Sequence, residues 1–120
     1  MTPPVVERKA LLAGMENDVE FLKTVIGIFL ADCPGMLAEI RSGVAAGDPG
    51  QIMSAAHALR GSVSLFGAQE AVAAARILEL MGREKKLEGV AEAVGVLERE
   101  IALVSCALEE IAKDTSAETS

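Results

Sequence analysis

Leu87, Val90, Val94, Leu97, Ile101, Val104, Leu108 and Ile111 recur at alternating spacings of three and four residues. At roughly 100° per residue this places all eight side chains on one seam of a helix, and such a seam must be buried against other helices. Gly89 and Gly95 lie within the stretch and each weakens a helix by about 1 kcal/mol relative to Ala, so tertiary packing has to hold it. A second face of the same kind passes through Leu22, Val25, Phe29, Cys33, Met36, Ile40 and Val44. It is sustained for about seven turns. Pro34 lies inside it, where it removes one backbone donor and meets the carbonyl of Leu30, which predicts a kink rather than a stop.

The boundaries of the other elements follow from local chemistry. Pro4 to Ala13 predict a short lead-in helix ended by Gly14, and Asn17 or Asp18 caps the long helix that follows. At Gly47-Asp48-Pro49 three signals stand in order: a residue suited to the left-handed position after a helix, an N-cap, and a first-turn proline. The next helix is expected from Pro49 to about Leu65, closing at Gly67. Another is expected from Ala68 to about Met81, closing at Gly82, with Arg83 to Lys86 as a charged connection. Long helices joined by short links give an all-α fold, an antiparallel up-and-down four-helix bundle with a short extra N-terminal helix.

The 120 residues suit one domain, and 51% of them are apolar. With three Phe and neither Tyr nor Trp, the core has to be aliphatic. The domain is expected to occupy residues 1–114, with 115–120 as a small, polar, frayed tail. A net charge of -7 argues against nucleic acid as a partner, since that requires a basic footprint. Charged or Gly residues interrupt the apolar runs, which argues against a membrane span. The first nine residues lack the basic-then-apolar order of a signal peptide, so a cytoplasmic setting is expected. Cys33 and Cys106 fit no metal-ligand spacing and read as free thiols, too few with one His for a zinc site.

That one histidine, His57, lies on the third helix. Ile52, Ala56, Leu59, Val63 and Phe66 gather on its core face, and His57 falls about 140° away from the centre of that face, with Gly61 about 180° away. Met53, Arg60 and Ser64 flank the imidazole. A lone surface histidine is usually of no consequence. Here Gly61, one turn on, weakens the helix without packing and clears the approach to the ring, while Arg60 at i+3 sets a permanent cation beside it. Imidazole is substantially neutral at physiological pH and is a competent nucleophile. A hydrolytic triad needs an orienting acid and an oxyanion hole, and a metal site needs a ligand where Gly61 stands. Accepting a phosphoryl group needs only exposure, the right tautomer and charge stabilisation, for which a charge-assisted bond from Arg60 contributes on the order of 1.5–3 kcal/mol before solvent screening.

The run Ala56-His57-Ala58-Leu59-Arg60-Gly61-Ser62, continuing through Leu65-Phe66-Gly67-Ala68, resembles the signature A-H-x-L-K-G-S-x-x-x-L-G-A of histidine-containing phosphotransfer (HPt) domains. Val72 and Leu78-Glu79 fill the later places of that pattern. Phe29-Leu30-Ala31-Asp32-Cys33-Pro34 is similar to the family's F-L-x-D-x-P in the long second helix. Arg60 stands where the family usually has Lys, and Phe66 where it usually has Leu.

The resemblance implies that His57 takes phosphate on Nε2 from a receiver-domain aspartate and passes it to another receiver. It implies no enzymatic machinery and no cofactor in this chain, with the magnesium in the receiver. Receiver domains or a hybrid histidine kinase are the implied partners of a monomer, docking over Met53, His57, Arg60, Gly61 and Ser64. Glu79 matches the acid that orients the imidazole in the chemotaxis-kinase branch; an ordinary exposed Glu is the other reading. A helical adaptor that docks a receiver or kinase without phosphoryl chemistry is the alternative function. A self-phosphorylating kinase is disfavoured because no Gly-rich nucleotide motif is present.

Overall fold

The computed structural model describes residues 6–16 and 18–119. Among the described residues five helices follow one another: α1 (Arg8–Gly14), α2 (Val19–Ala46), α3 (Pro49–Ser64), α4 (Gln69–Glu84) and α5 (Val90–Thr119). Asp18 caps α2, its Oδ1 accepting from the Phe21 amide at 3.0 Å. The turn from α2 to α3 forms as its sequence predicts. Gly47 takes φ 61°, the Asp48 amide reaches back to the Gly43 carbonyl at 2.9 Å, and Asp48 Oδ1 accepts from the Gln51 amide at 3.2 Å. One residue pair thus satisfies the end of one helix and the start of the next.

α3 packs on α2 and α4, and α5 closes the ring by packing on the same two helices; α1 lies against α2. Glu39 meets Gln51 and Phe29 meets Phe66, so α2 and α3 run antiparallel. Their core faces carry Leu22, Ile26, Phe29, Cys33 and Ile40 against Ile52, Ala56, Leu59 and Val63. α4 contributes Ala71, Ala74, Ala75 and Leu78, and α5 contributes Val94, Leu97, Ile101, Val104, Leu108 and Ile111. The α5 seam is therefore buried from Val94 onward, with Leu87 and Val90 half-buried at its entrance. The two aromatic rings of the core, Phe29 and Phe66, meet edge to face at 5.3 Å. α2 runs unbroken past Pro34. Arg41 on α2 pairs with Glu98 on α5. Cys33 is buried, which pushes its thiol up, and Cys106 is exposed; both are free.

Four expectations need correction. Gly82 does not end α4. The helix continues to Glu84 and closes on Lys85 at φ 58°, where the Lys86 amide bonds the Met81 carbonyl at 3.0 Å. Gly82 is instead a point of contact: a Cβ there would lie 2.6 Å from the Pro49 carbonyl oxygen and 2.7 Å from the Met53 amide nitrogen. Gly89 lies before α5 rather than within it, at φ 79°. α5 runs on to Thr119 through most of the expected tail, because no Gly or Pro follows Gly95 to stop it. Finally, α2 is long and apolar enough, by length and composition alone, to cross a membrane. Between Thr24 and Ala38 only Asp32 is charged. Pro4 and Asn17, named above for the lead-in helix and the cap, lie outside the described residues.

Candidate functional site

His57 stands where the helical wheel puts it. Ile52, Ala56, Leu59 and Val63 are fully buried beneath α3, and the His57 side chain is 65% exposed on the outer surface. Gly61 is exposed, and a Cβ there would meet no atom within 4 Å. Ser64 is exposed too, its hydroxyl turned back to the Gly61 carbonyl at 2.8 Å. Met53 is half-buried, its backbone pressed against Gly82.

Glu79 on α4 is not an ordinary exposed glutamate. It is 4% exposed, the one buried charged residue among those described, and its carboxylate lies directly beneath the imidazole. Its Oε1 is 2.7 Å from His57 Nδ1. Arg60 Nε donates to its Oε2 at 2.6 Å and Arg60 Nη2 to its Oε1 at 3.3 Å. Arg83, one turn further along α4, brings Nη2 to 3.6 Å from Oε1. A buried carboxylate without partners is costly, and here the cations offset that cost. The bonds from Arg60 and His57 outweigh burial and hold the Glu79 carboxyl down at about 2.

Arg60 lies beside the ring, as its i+3 spacing places it, and has a second partner. Arg60 is drawn to Glu79, with its side chain 32% exposed. Its Nη2 also lies 3.2 Å from His57 Nδ1. The two contacts at Nδ1 demand opposite tautomers. A guanidinium only donates and would need a bare Nδ1, whereas a carboxylate only accepts and needs Nδ1–H. Both contacts involve an ionised group, and the Glu79 contact is shorter by half an ångström, so the network assigns the proton to Nδ1. Nε2 is then left with a lone pair on the exposed side of the ring. Sequence reasoning named Glu79 and Arg60 but missed Arg83, although its i+4 spacing from Glu79 was available as a signal.

Toward α2, the same surface is apolar. Val25, Ile28, Met36 and Leu65 line a groove of about 260 Å³, and Phe21, Ile28 and Leu65 are each more than half exposed. His57 therefore stands on a helix with an oily groove on one flank and a cluster of arginines on the other. No three His, Cys, Asp or Glu side chains group as metal ligands among the described residues.

A family model described as the Hpt domain matches residues 24–107, from α2 through most of α5. No curated protein matches the chain. Among solved structures it is similar to the crystal structure of histidine-containing phosphotransfer protein B from Pseudomonas aeruginosa. The TM-score is 0.86 at 21% identity, covering 94% of this chain and 98% of that one.

Proposed function

The chain belongs to the Hpt domain family of two-component phosphotransfer, and on that premise we propose that His57 accepts a phosphoryl group from a receiver-domain aspartate and passes it to a second receiver. One observation carries this reading: an exposed imidazole whose Nδ1 is tied to a buried carboxylate at 2.7 Å. The Nε2 lone pair attacks phosphorus, an N–P bond forms, and the acyl P–O bond breaks with its electron pair going to the departing aspartate. The ring keeps its Nδ1 proton and gains positive charge, which the Glu79 carboxylate offsets. Transfer onward is the reverse reaction with another aspartate.

Glu79 is then the imidazole orienter, and Arg60, whose Nη2 lies 3.2 Å from Nδ1, is the cation on this helix that would turn to stabilise the phosphoryl group. Magnesium and leaving-group chemistry belong to the receiver, and this chain supplies only the attacking imidazole, so it acts as a carrier and not as an enzyme. The receiver docks over Met53, His57, Arg60, Gly61 and Ser64, with the apolar edge of α2 and Leu65 as the adjoining contact. A monomeric cytoplasmic carrier fits this scheme.

Mixing the chain with phosphorylated receiver domains is expected to place an acid-labile, base-stable phosphate on His57, and His57→Gln is expected to abolish it. Phosphate that never appears, or that survives in the His57→Gln chain, would leave the adaptor reading in its place. Gly61 gives a second expectation with two opposite signs. Gly61→Ala meets open space and favours the helix by about 1 kcal/mol, so thermal unfolding moves up. Gly61→Phe leaves the fold intact but covers the ring, and transfer falls. Equal transfer by the Phe variant, measured at matched stability, would show that Gly61 clears nothing.

A further inference from the structure

We propose that the crevice between α3 and α4 beside His57 docks a carboxylate-bearing surface of the protein that exchanges phosphate with this chain. The proposal rests on the phosphocarrier reading. The crevice encloses about 220 Å³ and is lined by Arg60, Arg76, Glu79, Leu80 and Arg83. Arg60 and Arg83 reach Glu79, whereas no acid among the described residues pairs with Arg76. Three guanidinium groups against one carboxylate leave a local surplus of two positive charges, in a chain whose net charge is -7.

That contrast decides what the crevice can recruit. The acidity of the whole chain repels an acidic partner at long range, but the Debye length of about 8 Å at physiological salt screens all but the nearest charges. A partner covering His57 would meet this crevice as well, and there the field is positive. Arg76 and Arg83 stand two helical turns apart, roughly 10 Å along the axis, with Leu80 between them. Glu79 fills the floor and repels a dianion, so the donors left for a ligand are the outer ones of Arg76 and Arg83. Guanidinium forks of that kind suit carboxylates at a protein surface. Charges at the rim of a contact set encounter rate and orientation more than chemistry.

The test is the second-order rate of phosphoryl transfer, over a range of salt concentrations, with the receiver domain that exchanges fastest with the wild-type chain. The wild-type rate should fall as salt rises above physiological strength, where only the nearest charges act. Arg76→Glu should lower it about tenfold at physiological salt and flatten the salt dependence above it, while the rate at saturating receiver stays within about twofold. Arg99→Glu, the same charge change at an exposed position on α5, should match wild type. An Arg76→Glu chain with wild-type rate and salt dependence overturns the dock. So does an Arg99→Glu chain that falls as far, which would reduce the effect to overall charge. Absence of transfer by the wild-type chain instead removes the phosphocarrier reading beneath it.

Discussion

A Gly82→Ala chain is expected to lose about 2–3 kcal/mol of stability, although alanine is the better helix former by about 1 kcal/mol. The reason is the identity of the atoms the new methyl would meet. At 2.6 Å stands the Pro49 carbonyl oxygen, and at 2.7 and 3.0 Å the Met53 amide nitrogen and Cα. These are backbone atoms of α3 and have no rotamer into which to retreat. The helices must move apart, and separation opens the layer of Ile52, Ala56 and the α4 alanines beneath them. Thermal unfolding should drop by about 10 °C. Gly43→Ala should cost less, since its nearest neighbour is the Ile52 side chain at 3.0 Å, which can yield a little. The consequence reaches the site, because His57 and Glu79 are carried by the two helices that Gly82 holds together. A Gly82→Ala chain as stable as wild type would mean that α3 and α4 adjust freely, and the site geometry would then owe nothing to this contact.

Glu79→Gln is expected to slow phosphoryl transfer about a hundredfold while the chain remains folded. The substitution keeps the shape and removes the charge, but an amide can also donate. Its NH₂ offers a hydrogen bond to a bare Nδ1, which favours the tautomer with the proton on Nε2 and removes the lone pair that attacks. Nitrogen-15 spectra of the ring should show the change directly: Nδ1–H in wild type, a shift toward Nε2–H in the variant. Wild-type spectra already dominated by Nε2–H would end the orienter role of Glu79.

The same carboxylate makes stability depend on pH. Its folded-state value of about 2 lies below the ordinary carboxylate value of 4.5, so the contribution is present in full above about pH 4.5 and is lost as pH falls toward 2. The urea midpoint of the wild-type chain should therefore fall across that window. In Glu79→Gln this part of the fall should be missing, and identical slopes in both chains would contradict it.

Much of the fold is legible in local patterns. Gly47-Asp48-Pro49 marks a helix end and start because each residue satisfies its own backbone requirement without help from elsewhere. The α5 seam and the core face of α3 are periodic, and periodicity survives any arrangement of neighbours. Exposure of His57 follows from its angle to Ile52, Ala56, Leu59 and Val63, and depends on nothing beyond α3.

Gly82 shows where local reading stops. A glycine near the end of a periodic stretch looks like a terminator, and only the approach of Pro49 and Met53 makes it a contact. Glu79 shows the same limit at the site. Twenty-two residues separate it from His57, and no spacing rule connects positions on different helices. Sequence by itself determined four long helices, their apolar faces and an outward imidazole, since these depend on neighbours within a turn or two along the chain. Tertiary structure alone decided that Glu79 is buried under that imidazole and that Arg60 turns toward it. Those pairings depend on the register and separation of α3 and α4, which are set by the packing of the whole bundle.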